Sequence, residues 1–171
     1  MSRQEAKNSA VIDSLEFARE GGQMAGALPV VALERLTEEL ADGTGALAWQ
    51  VTGERDGVGK SWLRLSVQGN LNLRCQRCLG SVAFRLDILS RLLLVPPGGR
   101  WPEDLQDGGL ADDQSDAIEA LTELALIPLI EEEVLLALPI VPRHECCKPP
   151  AAVMAEQEPS PFAALAKIRK H

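Results

Sequence analysis

Two thiols with two residues between them stand in Cys75-Gln76-Arg77-Cys78-Leu79-Gly80. A second soft cluster, His144-Glu145-Cys146-Cys147, lies far downstream, and these two places hold all four cysteines of the chain. A CxxC turn can aim both thiolates inward, and Gly80 is expected to take the left-handed backbone conformation that such a knuckle needs. A distant His-x-Cys or His-x-x-Cys would complete a tetrahedral zinc site. The candidate ligands are Cys75, Cys78, His144 and one of Cys146 and Cys147. Adjacent thiols do not easily reach one ion, and the spacing leaves the choice between them open. The plain alternative is a pair of inert turn thiols and a surface loop. A thioredoxin-type redox pair needs its CxxC at a helix N-terminus, where the dipole lowers the first thiol's pKa. Here strand-like alternation resumes right after Gly80. There is no HExxH helix, and His144 and His171 are the chain's two histidines, so a four-ligand site would be closed and structural.

The elements that must position these residues are legible as hydrophobic periods. Leu63, Leu65, Val67, Leu71 and Leu73 alternate with Arg64, Ser66, Gln68, Asn70, Asn72 and Arg74. After the knuckle, Val82, Phe84, Leu86 and Ile88 alternate with Ala83, Arg85 and Asp87. The two runs predict a hairpin with the thiol turn at its tip. Placing Cys75 opposite Cys78 sets Leu71 against Val82, Val67 against Leu86 and Leu65 against Ile88. Leu47, Trp49 and Val51 read as a third strand, and Pro96-Pro97-Gly98-Gly99 closes the sheet region. Leu33, Leu36 and Leu40 fall at helical spacing, as do Ile127, Ile130, Val134 and Leu138. Pro128 is tolerable in the first turn of the second helix, and Pro139 and Pro142 end it and turn the chain toward His144. A short strand is possible near Asp116–Ala120. Glu131, Glu132 and Glu133 read as the exposed arc of the helix.

The expected fold class is α+β: an antiparallel β-meander (near 45–52, 62–74 and 81–94) with an N-terminal helix near 31–40 and a C-terminal helix near 126–138 packed on one face. The domain reading gives a disordered N-terminus over 1–11 and a single domain over 12–147 with the CxxC hairpin and the HxC segment. A linker and basic amphipathic tail follow over 148–171.

With 171 residues and 46% hydrophobic content, one core is within reach. A net charge of −8 argues against general nucleic-acid affinity, but it hides an asymmetry. From Lys60 to Arg100 there are seven basic residues and one acid, Asp87; from Trp101 to Leu135 there are eleven acids and no Lys or Arg. Arg64, Arg74, Arg77, Arg85 and Arg91 are candidate RNA contacts, interleaved with Gln68, Asn70 and Asn72. Aromatics for base stacking are scarce. The first twenty residues lack an apolar core segment, and the longest apolar stretch is broken by glutamates and prolines, so neither a secretory leader nor a membrane span is expected. The chain reads as cytoplasmic, where a CxxC favours metal or redox chemistry over a structural disulfide.

At three segments the chain resembles the YceD family, the large ribosomal RNA subunit accumulation proteins. They are Cys75 to Gly80 with its preceding strand, Leu129 to Cys146, and Pro161-Phe162-Ala163-Ala164-Leu165-Ala166-Lys167. Pro128 falls where similar sequences continue a helix. The resemblance implies a non-enzymatic accessory factor for accumulation or processing of large-subunit (23S) ribosomal RNA, without a defined active site. Its partner would be that RNA or a large-subunit ribosomal protein, and its cysteines suggest metal binding. The residues leave two other readings: a nuclease or thiol redox enzyme of the same pathway, and a protein-only interaction module.

Overall fold

The computed structural model describes residues 10–102 and 115–150. Strand β1 (Val11–Ile12) leads into helix α1 (Ser14–Glu20), strand β2 (Gln23–Pro29), a single 3-10 turn (Val30–Ala32) and the short helix α2 (Glu34–Thr37). Strands β3 (Ala46–Arg55), β4 (Ser61–Arg74) and β5 (Ser81–Val95) follow, then β6 (Ser115–Glu119), β7 (Leu124–Ala125) and helix α3 (Leu126–Ala137). The main sheet has the order β2-β3-β4-β5-β6, and β1 pairs with β7 in a separate two-stranded ribbon. This is the expected α+β fold, with two additions at the sheet edges. β2 extends the antiparallel meander, and β6 closes the far edge in parallel with β5. The proposed strand near 116–120 is thus real. Val11, read as part of a disordered terminus, pairs with Ala125.

One face of the sheet is apolar because the alternation is nearly strict. Leu47, Val51, Leu63, Leu65 and Val67 are fully buried there, and α1 and α3 cover them. Gly53 lets α1 approach, since a Cβ at that position would lie 2.3 Å from the Phe17 carbonyl oxygen. Three features lay outside the sequence reading. Helix α1 starts at Asp13, whose Oδ1 accepts from Glu16 N at 2.9 Å, and ends at Gly21 with φ 64. The Asp13-x-x-Glu16 signature and Gly21 were the available signals. The opposite face of the sheet carries a second small core of Trp62, Leu93 and Val95, with Trp101 and Ala117 against it. Arg91 stacks over Trp62 at 4.0 Å from the ring centroid.

Three expectations need correction. The helix proposed near 31–40 is a 3-10 turn and one α turn separated by the extended Leu33. Leu33, Leu36 and Leu40 are buried as their spacing suggested, yet the helical backbone begins at Glu34. The hairpin register is also two residues off. Leu71 faces Phe84, Val67 faces Ile88 and Leu65 faces Ser90, because the ladder ends at Arg74 opposite Ser81 and leaves six residues in the turn. A shift of two preserves which face each side chain occupies, so the apolar face survives the error.

The glutamate triplet is not an exposed arc. Glu132 is exposed, but Glu131 and Glu133 are buried. Glu131 Oε1 accepts from the backbone nitrogens of Arg35 (2.8 Å) and Leu36 (3.1 Å), capping α2 from a distant helix. Glu133 accepts from the hydroxyl of Ser90 on β5. Burial pushes the Glu133 carboxyl above its ordinary value; the Ser90 bond pulls it back, and the charges of Asp116 and Glu132 push it further up.

Removing the Glu131 carboxylate strands two backbone donors in the interior, which costs about 2 kcal/mol. Glu131→Ala is therefore expected to lower the melting temperature by roughly 4–8 °C, while Glu132→Ala at the exposed neighbour stays within about 0.5 kcal/mol of wild type. Differential scanning calorimetry of the two variants checks this. For Glu133 the folded pKa is raised, so its contribution is complete below the unfolded value of 4.5 and is lost as pH rises through the folded value. Glu133→Gln holds a neutral, Ser90-bonding group at every pH. Its melting temperature should gain on wild type as pH rises from 4.5 toward neutrality, and thermal melts across that range measure the sign.

Candidate metal centre

β4 and β5 end at Arg74 and Ser81, and the chain between them closes on itself. Cys75 N donates to Gly80 O at 2.8 Å, and Leu79 N donates to Cys75 O at 2.9 Å. The residue that reverses the chain is Leu79, at φ 62, and not Gly80 as expected. A leucine in the left-handed region costs about 1–2 kcal/mol relative to its usual conformations. The tight Leu79-to-Cys75 bond places the reversal one residue before the glycine. Leu79 is 62% exposed at the tip.

The second cluster reaches this turn because residues inside the CxxC hold it. Gln76 N donates to Pro142 O at 2.9 Å, and Gln76 Nε2 donates to Ile140 O at 3.1 Å. Arg77 Nη1 donates to Cys147 O at 3.2 Å. The two prolines that end α3 thus direct the chain back to the hairpin tip, as the sequence suggested.

Cys75, Cys78, His144 and Cys147 come together, with one potential ligand atom from each lying within 4.8 Å of the others. Cys75 Sγ and Cys147 Sγ are 3.8 Å apart, and Cys78 Sγ lies 3.4 Å from His144 Nδ1. Cys146 is exposed and lies outside the group. Of the two thiols that spacing left open, Cys147 is the one whose sulfur lies in the group. The imidazole is oriented by its other nitrogen. His144 Nε2 sits 2.9 Å from the carbonyl of Ser81, which can only accept, so Nε2 carries the proton and the Nδ1 lone pair faces the thiols.

The thiols differ in acidity. Cys75 is fully buried, yet its thiol is drawn down to about 5, chiefly by the backbone N–H of Cys78, 3.5 Å from its sulfur. Burial opposes this, and the N–H groups of His144 and Arg77 add to it. Burial pushes Cys147 up, and its bonds to Cys75 and Cys78 push it further. The arrangement offers three sulfurs and an oriented imidazole, a donor set for a soft or borderline cation.

The candidate RNA contacts do not gather in one place. Arg64 and Arg91 face each other across β4 and β5, and Arg85 faces Asn70 farther along the same open face. Arg74 stands at the end of the ladder and Arg77 in the knuckle. Most have partners already: Arg64 pairs with Glu54 at 3.1 Å, Arg74 donates to Leu40 O at 3.2 Å, Arg77 holds Cys147 and Arg91 covers Trp62. Arg85 is exposed and has no partner among the described residues. Beside it, Gln68, Asn70 and Asp87 line a shallow concavity of about 290 Å³ on the sheet. The basic tail and most of the acidic loop lie outside the described residues. No helix among the described residues is long and apolar enough to cross a membrane.

A family model described as large ribosomal RNA subunit accumulation protein YceD matches residues 63–169. Over 186 aligned positions the chain is 28% identical to the large ribosomal RNA subunit accumulation protein YceD of Haemophilus influenzae, covering 98% of this chain and 99% of that protein. No solved structure gives a significant match.

Proposed function

We propose that this chain, which belongs to the YceD family, is a non-enzymatic cytoplasmic factor for the accumulation of large-subunit ribosomal RNA, that one structural zinc ion closes its knuckle, and that its arginine-bearing sheet face touches the RNA. The family match carries the first part. The naming of the relative in Haemophilus influenzae for large ribosomal RNA subunit accumulation supports the same role here.

The donor geometry supports zinc. A tetrahedral ion with ordinary zinc–sulfur and zinc–nitrogen bonds sets its ligand atoms about 3.8 Å apart for two sulfurs and about 3.6 Å apart for sulfur and nitrogen. The Cys75–Cys147 and Cys78–His144 separations are 3.8 and 3.4 Å. When bound, the ion would join the hairpin tip to the segment after α3, 72 residues away in sequence, and its binding energy would become folding energy. Four protein donors leave no vacant coordination position for a substrate, which favours a structural role over a hydrolytic one. Protein purified without chelator should carry near one zinc per chain by elemental analysis. Cys75→Ser and Cys147→Ser should lose it and melt earlier, while Cys146→Ser keeps both metal and melting temperature. Metal-free wild type, or equal loss in the Cys146 variant, would sink the site.

For RNA, the exposed guanidinium of Arg85 and the amides of Asn70 and Gln68, the latter also donating to Asp87 at 3.0 Å, supply phosphate and edge contacts without aromatic stacking. In purified protein, Arg85→Ala should weaken binding to large-subunit RNA fragments. It should also flatten the slope of log affinity against log salt by about 0.7 if the contact is to a single strand. In cells, depletion should lower mature large-subunit RNA relative to small-subunit RNA, with rescue by wild type and weaker rescue by Arg85→Glu. Unchanged RNA levels on depletion would refute the assignment. Crosslinks to protein alone would replace RNA contact with the ribosomal-protein route.

A further inference from the structure

We infer that the chain's own C-terminal motif, Phe162-Ala163-Ala164-Leu165-Ala166-Lys167-Ile168, docks on an apolar shelf formed by Leu136, Ile140 and Val141. These side chains are 73%, 94% and 53% exposed, at the end of α3 and in the segment that follows it. Isolated exposed apolar residues need no explanation, but three within six residues mark a surface that meets something apolar.

Three observations favour the tail as occupant. The first is where the chain goes. Adjacent knuckle residues, Gln76 and Arg77, hold Ile140 and Cys147 respectively, so the shelf and the strand of chain leading outward are fastened to the same turn. From Pro150, residues 151–160 precede the motif. Ten residues reach up to about 35 Å when extended. A segment tethered so closely meets the shelf at an effective concentration of order millimolar, ahead of any partner in solution. The second is pattern. Phe162, Leu165 and Ile168 recur every three residues, so the motif carries large apolar side chains at regular spacing. The third is the family match, which runs from 63 to 169 and so includes shelf and motif in one unit.

Charge adds little. Glu132 stands one turn before Leu136 on α3 and could meet Lys167 or Arg169, but Arg143 and Lys148 are exposed nearby and oppose the basic tail. The apolar contact supplies the affinity, so docking should persist in high salt. The inference does not depend on the RNA reading.

The test uses the full chain with methyl and aromatic labels in solution NMR. Contacts between the Phe162 ring and the Leu136 or Ile140 methyls are expected, unchanged on dilution and in about 0.5 M salt, where charge attraction is screened within a few ångströms. Leu136→Asp and Ile140→Asp, both at exposed positions, should abolish these contacts and leave the melting temperature near wild type. If the tail makes no contact with the shelf, the inference fails. It fails equally if mixed labelled and unlabelled chains show the contact only between molecules, which would make a second copy the occupant.

Discussion

A buried sulfur cannot carry charge unless donors surround it, and Cys75 is where this chain meets that demand. Its side chain is fully buried at the root of the knuckle, and the N–H of Cys78 points at it from 3.5 Å. That geometry exists only if the turn reverses at Leu79 and the ladder stops at Arg74 and Ser81. The N–H groups of Arg77 and His144 help hold the thiol low, so the acidity of Cys75 depends on the downstream segment being in place. Hairpin, knuckle and post-helical segment are therefore one arrangement, and a metal ion would draw on donors that the backbone has already aimed.

Helix α3 connects that arrangement to the rest of the core. Its C-terminal end delivers Pro142 and Ile140 to Gln76. Within the helix, Glu131 and Glu133 reach opposite ways, to α2 and to Ser90 of β5. Burying two carboxylates is costly, and the two sites solve the problem differently. Glu131 accepts two backbone donors that would otherwise be orphaned at the start of α2. Glu133 has one hydroxyl and acidic neighbours, and its proton is held more tightly as a result. An apolar pair of equal volume could pack there, but it would leave Arg35 N and Leu36 N without partners.

What the sequence could and could not disclose follows from the range of each interaction. Alternation along β4 and β5 is local, so both strands and their apolar face were legible. Register depends on the turn, and six unpaired residues move every cross-strand partner by two. The approach of His144 to Cys75 was legible because Pro139 and Pro142 forbid the helix from continuing. Cys146 and Cys147 were indistinguishable by spacing; in the fold Arg77 bonds the Cys147 carbonyl, and the Cys147 sulfur lies 3.8 Å from that of Cys75. The leucines at 33, 36 and 40 were correctly buried but wrongly helical, because a carboxylate 95 residues away sets where α2 begins. Helix α1 was missed although Asp13 and Gly21 bracket it, for want of a long apolar period between them.

The divided charge of the chain takes on a different meaning once the fold is in hand. Of the acids after Trp101, Glu131 and Glu133 face inward and contribute nothing to an acidic surface. Of the cations between Lys60 and Arg100, Arg64, Arg74, Arg77 and Arg91 are already bonded or stacked inside the molecule. An exposed ion pair such as Arg64–Glu54 is worth little in stability, so RNA phosphate could compete for that guanidinium at small cost. Arg91 is different. Its Nε is buried without a partner, and its plane covers Trp62, so moving it would uncover the second core. The open face thus separates into arginines held only by exposed contacts and arginines that hold the sheet together. Arg85, opposite Asn70 and part of the lining of the 290 Å³ concavity, is exposed and has no partner among the described residues.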